Sequence, residues 1–214
     1  MSHVARRRQV RVTATGYIRA NAIWYALAFV IFAAGVCTGA AYASAMRDGG
    51  AEALTYLESG LANLRVNTPG SNGRVMLASM SANLSSVALI WIAGSSVLGF
   101  AGAFLILFIR GFCVGFTVAF LVREMAGAGA VLALSSVLPH NLVAVPALVA
   151  ACASSVRFSW SVLSRNLLGI EADVAHAFAE SSASFFIAAI VLVLAAFVQS
   201  YVSPAFLMLA ARFG

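Results

Sequence analysis

The stretch ANAIWYALAFVIFAAGVCTGAAYASAM, residues 20–46, decides the fold of this chain. It contains no charged residue and exceeds the roughly 20 apolar residues that a helix needs to cross a bilayer. Three more long stretches are also free of charge. Of all 214 residues, 62% are hydrophobic and 9% are charged, whereas about a quarter of a soluble domain is charged. The composition therefore predicts an all-α, polytopic integral membrane protein and excludes a soluble globular protein.

The arginines ahead of this first span predict its orientation. Arginines that flank a first span are retained in the cytoplasm, so we expect the N-terminus inside. The net charge of +6 then reflects topology, and no nucleic-acid partner is expected. The arginines concerned are Arg6, Arg7, Arg8, Arg11 and Arg19.

Charges and turn signals divide the rest of the chain into about five transmembrane helices. Arg110 and Gly111 are predicted to form a tight cytoplasmic turn, and the interval from Arg110 to Arg157 is long enough for two crossings. Eight arginines then fall inside and five outside, with the C-terminus outside. The segments of this single membrane domain are a basic cytoplasmic N-terminus (1–21), span one (22–45), an extracytoplasmic loop (46–84), span two (87–109), span three (111–130), span four (134–156), a cytoplasmic interfacial segment (157–180), span five (181–202) and an outside tail (203–214).

Two amphipathic helices are predicted outside the spans. In the extracytoplasmic loop, leucines recur at spacings of three and four, which places them on one helix face. This face either reinforces the bundle or forms an outer docking surface for a partner. In the interfacial segment, Val174 and Phe178 lie on the apolar side of a short cytoplasmic helix. The leucines of the outer helix are Leu54, Leu57, Leu61 and Leu64.

Four polar residues are expected inside the membrane as one cluster: Arg123, Glu124, His140 and Asn141. Along a helix, Arg123 lies about 20 Å from the turn at Arg110, and His140 lies about 25 Å from the cytoplasmic end of span four. These distances predict a similar depth, in the outer half of the membrane. An ionised pair inside a membrane is costly unless it faces protein or water, so the cluster should lie between helices.

Span four is predicted to be broken by Pro139 and Pro146, since each proline removes a backbone donor and clashes with the preceding turn. The polar cluster would then satisfy the backbone groups that Pro139 frees and fix the packing of spans three and four. Three interpretations remain for it: a structural role, a cavity for an ion or small molecule between broken half-helices, and catalysis.

Small residues at four-residue spacing predict close helix contacts. They occur as GxxxG in span one, as Gly111 to Gly115 in span three and as a similar pair in span two. Packing within the monomer is the first interpretation and a homodimer the second. The residues are Gly35, Gly39, Ser95, Gly99 and Gly115.

Motifs for catalysis and for cofactors are missing from the sequence. It contains no HExxH, GxSxG, Walker lysine, GxGxxG or CxxC motif. Its three histidines are scattered, so no metal site, cofactor or enzymatic activity is expected. Its cysteines fall in apolar stretches, where a thiol behaves as a small hydrophobe, and no disulfide is expected. They are Cys37, Cys113 and Cys152.

Two stretches resemble the stage II sporulation protein M family. They are RGFCVGFTVAFLV at residues 110–122, and LPHNL with a following Pro-Ala at residues 138–147. The N-terminal pattern YIRAN at residues 17–21, Tyr25 and the glycine pair of span one are also similar to that family. The length and the layout of five spans agree, so the resemblance covers nearly the whole chain.

The resemblance implies a multi-pass protein of the bacterial cytoplasmic membrane that acts in forespore engulfment during sporulation. It implies partners similar to the stage II sporulation proteins D and P, which degrade peptidoglycan, and a non-enzymatic scaffold that recruits or positions them outside the membrane. Lipid is the other expected partner. The alternative from the residues alone is a small transporter or channel component with a polar site at the broken helix around His140.

Overall fold

The computed structural model describes residues 21–46, 71–96, 99–168 and 173–202. Within these ranges the chain is helical and contains no strand. The predicted outer helix with its four leucines, the basic N-terminus and the C-terminal tail lie outside the described residues. The helices are α1 (Ala22–Ala45), α2 (Ser71–Gly94), α3 (Gly99–Ser136), α4 (Leu138–Leu168) and α5 (Val174–Phe197), and a π-helical turn (Val198–Val202) continues α5.

Among the described residues, five helices are long and apolar enough to cross a membrane, which confirms the all-α polytopic fold. The rows of large apolar side chains left on the bundle surface, such as Leu142, Phe186 and Ile190, are compatible with lipid as the surrounding solvent. The spans are Ala22–Ala45, Met76–Gly94, Gly99–Glu124, Leu138–Asn166 and Val174–Ser200.

Contacts between the helices show that their directions alternate along the chain. The side chain of His140 bonds to Ala195 and that of Ser184 bonds to Ala150, so α4 and α5 run antiparallel. The contacts of Ser79 with Gln199 and of Asn83 with Leu192 show that α2 is antiparallel to α5. In α1 and α3 the residue numbers of contacting pairs rise together, as they do from Gly35 near Phe108 to Ala43 near Arg123, so these helices are parallel. Five successive crossings of a bilayer require this alternation.

Helix α4 occupies the centre of the bundle. Its best apolar window is 67% buried, compared with 17% to 28% for the other four spans. From residue 151 to residue 156 every side chain of α4 is nearly inaccessible, so neighbouring helices surround this part of the helix. Because most of these side chains are small, as in Ala151, Cys152 and Ala153, the neighbouring helices can approach closely.

The closest helix contact joins α1 to α3 through two pairs of glycines. A Cβ atom placed on Gly35 or Gly39 would overlap backbone atoms of Phe108 or Phe112, and one placed on Gly111 or Gly115 would overlap the backbone of α1. The two GxxxG segments therefore face each other within one chain. Backbone contact without side chains between them gives dense packing where lipid offers no hydrophobic driving force.

The structure corrects the predicted boundaries of spans two and three. Arg110 and Gly111 lie inside α3, and no turn interrupts the helix there. The turn between these spans follows Gly94 instead, where Ser95 and Ser96 bond back to the last turn of α2. The predicted loop at 46–84 also extends too far, because α2 begins at Ser71.

The structure also corrects the predicted break in span four and the predicted interfacial segment that follows it. Pro139 lies in the first turn of α4, where its missing N–H has no intrahelical partner to lose, and the helix continues through Pro146 to Leu168. Span four is thus not broken. The predicted interfacial segment at 157–180 is also absent as a separate unit, because α4 continues to Leu168 and α5 begins at Val174.

Helix α3 changes direction beyond the membrane span. A straight helix would place Val137 about 40 Å from Arg110. Nevertheless, Arg110 and His140, three residues past Val137, are linked to the same part of α5: Asn83, which Arg110 binds, donates to the Leu192 carbonyl, and His140 contacts the Ala195 carbonyl one turn away. The chain must therefore turn back between Glu124 and Val137. The run Ala-Gly-Ala-Gly-Ala at residues 126–130 lies in this interval, and glycine permits such bending.

The α1–α3 contact generates the first prediction. In Gly115→Ala, the added methyl group overlaps the Val36 carbonyl and forces the helices apart, so we expect a loss of about 1 to 3 kcal/mol of stability. Thermal unfolding of the purified protein in detergent measures this loss. The matched control is Gly73→Ala, where a Cβ meets no atom within 4 Å and the melting temperature should not fall. Equal effects of both changes would contradict the contact.

Candidate functional site: a polar cluster at mid-depth

Arg110 lies near the centre of a membrane span. Along α3 it is about 16 Å from Gly99 and about 21 Å from Glu124, the two ends of the span. Its Nη2 donates to Oδ1 of Asn83 on α2, at 2.6 Å. Asn83 is 2% exposed, and its Nδ2 donates at 3.5 Å to the Leu192 carbonyl of α5. A buried asparagine thus links the arginine to a third helix.

His140 completes this polar cluster from α4. Its Nδ1 lies 3.1 Å from the Ala195 carbonyl oxygen, which can only accept, so this nitrogen carries the proton. In neutral His140 the other ring nitrogen, Nε2, is consequently an acceptor. Ala195 lies one helical turn from Leu192, the partner of Asn83, so the ring is close to the Asn83–Arg110 pair. We call Arg110, Asn83 and His140 the midspan cluster after the position of Arg110; His140 itself lies two residues from the start of its span.

The midspan cluster contains no counter-charge among the described residues. The carboxylates of the described ranges have other partners: Glu124 pairs with Arg123, Glu180 with Arg157, and Asp173 caps α5 by accepting from the His176 N–H. In addition, Nε of Arg110 is buried and makes no hydrogen bond within these ranges. An arginine does not lose its proton in a protein. The cluster is therefore a cation held at mid-depth by one neutral amide.

Arg123 and Glu124 lie at the end of the span, where Arg123 binds the C-terminus of α1 and pairs with Glu124. Nη1 of Arg123 donates to the carbonyl oxygens of Ala43, at 2.8 Å, and of Met46. Nε of Arg123 lies 3.3 Å from Oε1 of Glu124. The last carbonyls of a helix lack intrahelical donors and carry partial negative charge, so a guanidinium stabilises them. This pair caps α1 from the neighbouring parallel helix.

The structure therefore divides the predicted four-residue cluster. Arg123 binds α1 and pairs with Glu124, His140 binds α5, and Nδ2 of Asn141 donates locally to the Val137 carbonyl at 2.8 Å. The predicted similar depth of Arg123 and His140 was measured from a turn at Arg110 that the structure does not contain. Both residues nevertheless lie near the ends of their spans, Arg123 one residue before the end of Gly99–Glu124 and His140 two residues after the start of Leu138–Asn166. Since Arg110 is itself at mid-depth, a residue about 20 Å further along α3 is at the membrane boundary.

Neither Arg110 nor Asn83 was recognised from the sequence as a polar residue of the membrane interior. One signal for Arg110 was available: apolar residues surround it from Gly99 to Val122, without the Asn, Asp or Pro that mark turns. Asn83 gave no such signal. It was assigned to the loop that ended at residue 84, and only the position of α2 shows that it is buried.

The α4–α5 interface carries further polar contacts toward the other end of the bundle. Arg157 of α4 and Glu180 of α5 form an ion pair, and Ser155 and Ser181 approach to 3.4 Å between hydroxyl oxygens. Aromatic rings surround this end, as is typical of membrane interfaces. The ring pairs there are Trp24 with Trp160, Trp91 with Phe178, Trp91 with Phe185 and Phe158 with Phe178.

A groove of about 400 Å³ runs along the α1–α3 contact and ends at Arg123. Small side chains on both helices produce it, and its surface is mainly apolar. None of its lining residues belongs to α4 or α5, so it offers no path past His140. The lining residues are Val36, Ala40, Ser44, Val114, Gly115, Val118, Ala119, Val122 and Arg123.

The remaining residues predicted for helix packing or binding make local contacts only. Ser95 and Gly99 do not form a small pair on one helix face: Ser95 lies in the turn after α2, and Gly99 is the first residue of α3. Gly94 makes the close approach instead, to Ser155 of α4. The three cysteines are free, and no group of metal-ligating residues occurs among the described residues.

These features define a multi-pass helical membrane protein with a polar cluster in its interior. The family model of stage II sporulation protein M matches residues 28–204. The chain belongs to this family, which confirms the resemblance seen in the sequence. The match covers all five spans except the first turns of α1. No curated protein and no solved structure matches the chain.

The cap on α1 generates the second prediction. Replacement of Arg123 by Ala removes the donors to the Ala43 and Met46 carbonyls, and we expect a loss of about 1 to 3 kcal/mol, the range for hydrogen bonds to charged groups. Thermal unfolding in detergent measures it. The control is Arg165→Ala, at an exposed position near the end of α4, which should change stability little. If Arg123→Ala were as stable as this control, the capping role would be wrong.

Proposed function

We propose that this protein is a non-enzymatic membrane scaffold that recruits or positions peptidoglycan-degrading proteins outside the membrane, as in forespore engulfment during sporulation. The observation that carries this proposal is the family match along residues 28–204. The family name points to stage II of sporulation, and the bundle fits a protein that acts by holding others. The proposed partners resemble the stage II sporulation proteins D and P.

The use of polar groups in the bundle supports a role without catalysis. Most polar side chains of the described interior bond to another helix or to their own backbone. Ser159 donates to the Ser96 carbonyl, Ser200 donates to the Ala196 carbonyl, and Ser79 donates to Gln199. Neither described histidine is bonded to a serine or a cysteine: His140 contacts a carbonyl and His176 contacts Glu180. These contacts stabilise the fold and do not assemble a nucleophile with a base.

The proposed orientation keeps the N-terminus inside and the C-terminus outside. With Arg110 at mid-depth, the expected count of eight arginines inside becomes seven, against five outside, and the excess still favours this orientation. The loop between α1 and α2 then leaves the membrane on the outer side. The seven inner arginines are Arg6, Arg7, Arg8, Arg11, Arg19, Arg157 and Arg165, and the five outer ones are Arg47, Arg65, Arg74, Arg123 and Arg212.

The start of the outer loop is fixed to the bundle. Arg123 holds the Met46 carbonyl, the last described group before the loop. Any segment that follows is consequently anchored at a defined position on α3. We propose that the leucines of the outer helix, which begin eight residues later at Leu54, form the docking surface for the hydrolases.

The third prediction tests this docking surface. The protein is purified from its native membrane in mild detergent, and copurifying proteins are identified by mass spectrometry. We expect stoichiometric recovery of a peptidoglycan hydrolase with the wild type and its loss with Leu57→Glu plus Leu61→Glu, because charge on the apolar face disrupts contact. If the leucine face serves docking and does not reinforce the bundle, the melting temperature should stay unchanged.

The matched control places the same two charges on another face of the same helix, as Thr55→Glu plus Ala62→Glu. This variant should retain the hydrolase. Recovery of the wild-type protein alone, even after crosslinking, would contradict the scaffold function. Loss of the hydrolase from both double variants would contradict the leucine face as the docking surface.

A further inference from the structure

The charge of Arg110 has to be balanced by something beyond the described helices. A cation at the centre of a bilayer is costly, and such residues pair with an opposite charge or face water. Asn83 supplies only a neutral oxygen to it. His140 cannot help, because a protonated ring would add a second positive charge beside the guanidinium. The described helices therefore leave a positive site at mid-depth.

The position of Arg110 on the bundle shows from which side the counter-charge can arrive. Its side chain is half-buried, at the border between the face of α3 that meets the core and the face that remains open. Ile109, Cys113 and Thr117 on that open face are exposed. A group that arrives laterally, through the membrane, would approach the half-buried Arg110 side chain from this open face.

A second copy of this chain cannot supply the counter-charge from its described residues. On α5 the level of Arg110 corresponds to Leu192, whose carbonyl accepts from the Asn83 that binds Arg110. Measured along the helices, Glu124 lies about 21 Å from Arg110, and Glu180 and Asp173 lie about 18 and 28 Å from Leu192. The described carboxylates of a second copy therefore do not reach this level, which leaves a different molecule as the source we consider.

We propose that the face of α3 around Arg110 binds a transmembrane helix of a partner protein that carries a carboxylate at mid-depth. An Asp or Glu side chain can pair with a guanidinium through two parallel hydrogen bonds. Inside a bilayer neither charged group has a favourable alternative, so the pair confers specificity on the contact. This inference deepens the proposed scaffold function, since it names the chemistry by which a membrane-anchored partner is held.

Cys113 provides a reporter for this face, and Cys37 provides a control. Cys113 lies one helical turn beyond Arg110 and is exposed, as is Cys37 on α1, while Cys152 is fully buried. A variant with Cys113 as its only cysteine is reconstituted into dioleoylphosphatidylcholine vesicles. The probe is a synthetic leucine–alanine transmembrane peptide with one central Glu and a cysteine one turn away, and a second peptide carries Gln in place of Glu.

We expect the Glu peptide to form a disulfide with Cys113 roughly fivefold to thirtyfold more than the Gln peptide does, which matches the 1 to 2 kcal/mol of polar contacts between membrane helices. Arg110→Gln should abolish this preference. Arg110→Lys, which keeps the charge, and Arg123→Gln, at the end of the span, should retain it. With Cys37 as the only cysteine, the two peptides should crosslink equally.

Equal crosslinking of both peptides to Cys113 would overturn the proposal. A second result would also overturn it: the wild type melts at a higher temperature in sodium bromide than in sodium gluconate, and Arg110→Gln does not. A soluble anion would then balance the charge of Arg110. If Arg110→Gln fails to fold, a peptide with central Lys supplies the comparison and should crosslink to the Arg110 protein less than the Gln peptide.

The crosslinking experiment and the copurification experiment can fail independently of each other. A preference for the Glu peptide without recovery of a hydrolase would leave the carboxylate site standing and refute the named partners. Recovery of a hydrolase without any preference for the Glu peptide would leave the scaffold function standing and refute the carboxylate site.

Discussion

The interior of a bilayer offers no hydrogen-bonding partner, and the rest of this structure follows from that constraint. Each polar group in the spans has to find its partner in another helix or in its own backbone. Serines bond to carbonyls within α2, α4 and α5, and Asn83 joins two neighbouring helices. The glycine contact between α1 and α3 serves the same end, because it packs two helices without any polar side chain between them.

Against this background the two described arginines of α3 have different physical meanings. Arg123 lies at the boundary of the membrane and donates to the last carbonyls of α1. Its positive charge is balanced within the fold by these carbonyls and by Glu124. Arg110 lies at mid-depth, and among the described residues an amide is its only hydrogen-bonding partner. The first residue stabilises the monomer and fixes the start of the outer loop. The second has no counter-charge within the described helices, and we propose that a membrane-anchored partner supplies it.

The sequence predicted the class of fold and its five spans, since hydrophobic length alone determines them. It could not predict where spans two and three meet. Arg110 with Gly111 resembles a cytoplasmic turn, and the real turn after Gly94 contains serines and glycines that are also common inside membrane helices. One misplaced turn then shifted every depth measured from it. Pro146 was likewise read as a break, although a proline within a helix is tolerated when neighbouring helices support it.

The depth of α3 in the bilayer tests the central claim most directly. A spin label on Cys113, as the only cysteine of the protein in lipid vesicles, reports depth through its relative accessibility to oxygen and to a water-soluble nickel complex. With Arg110 at mid-depth, we expect high accessibility to oxygen and very low accessibility to nickel, as is found near the bilayer centre. High accessibility to nickel would place Arg110 at the membrane surface and contradict its position inside the bilayer.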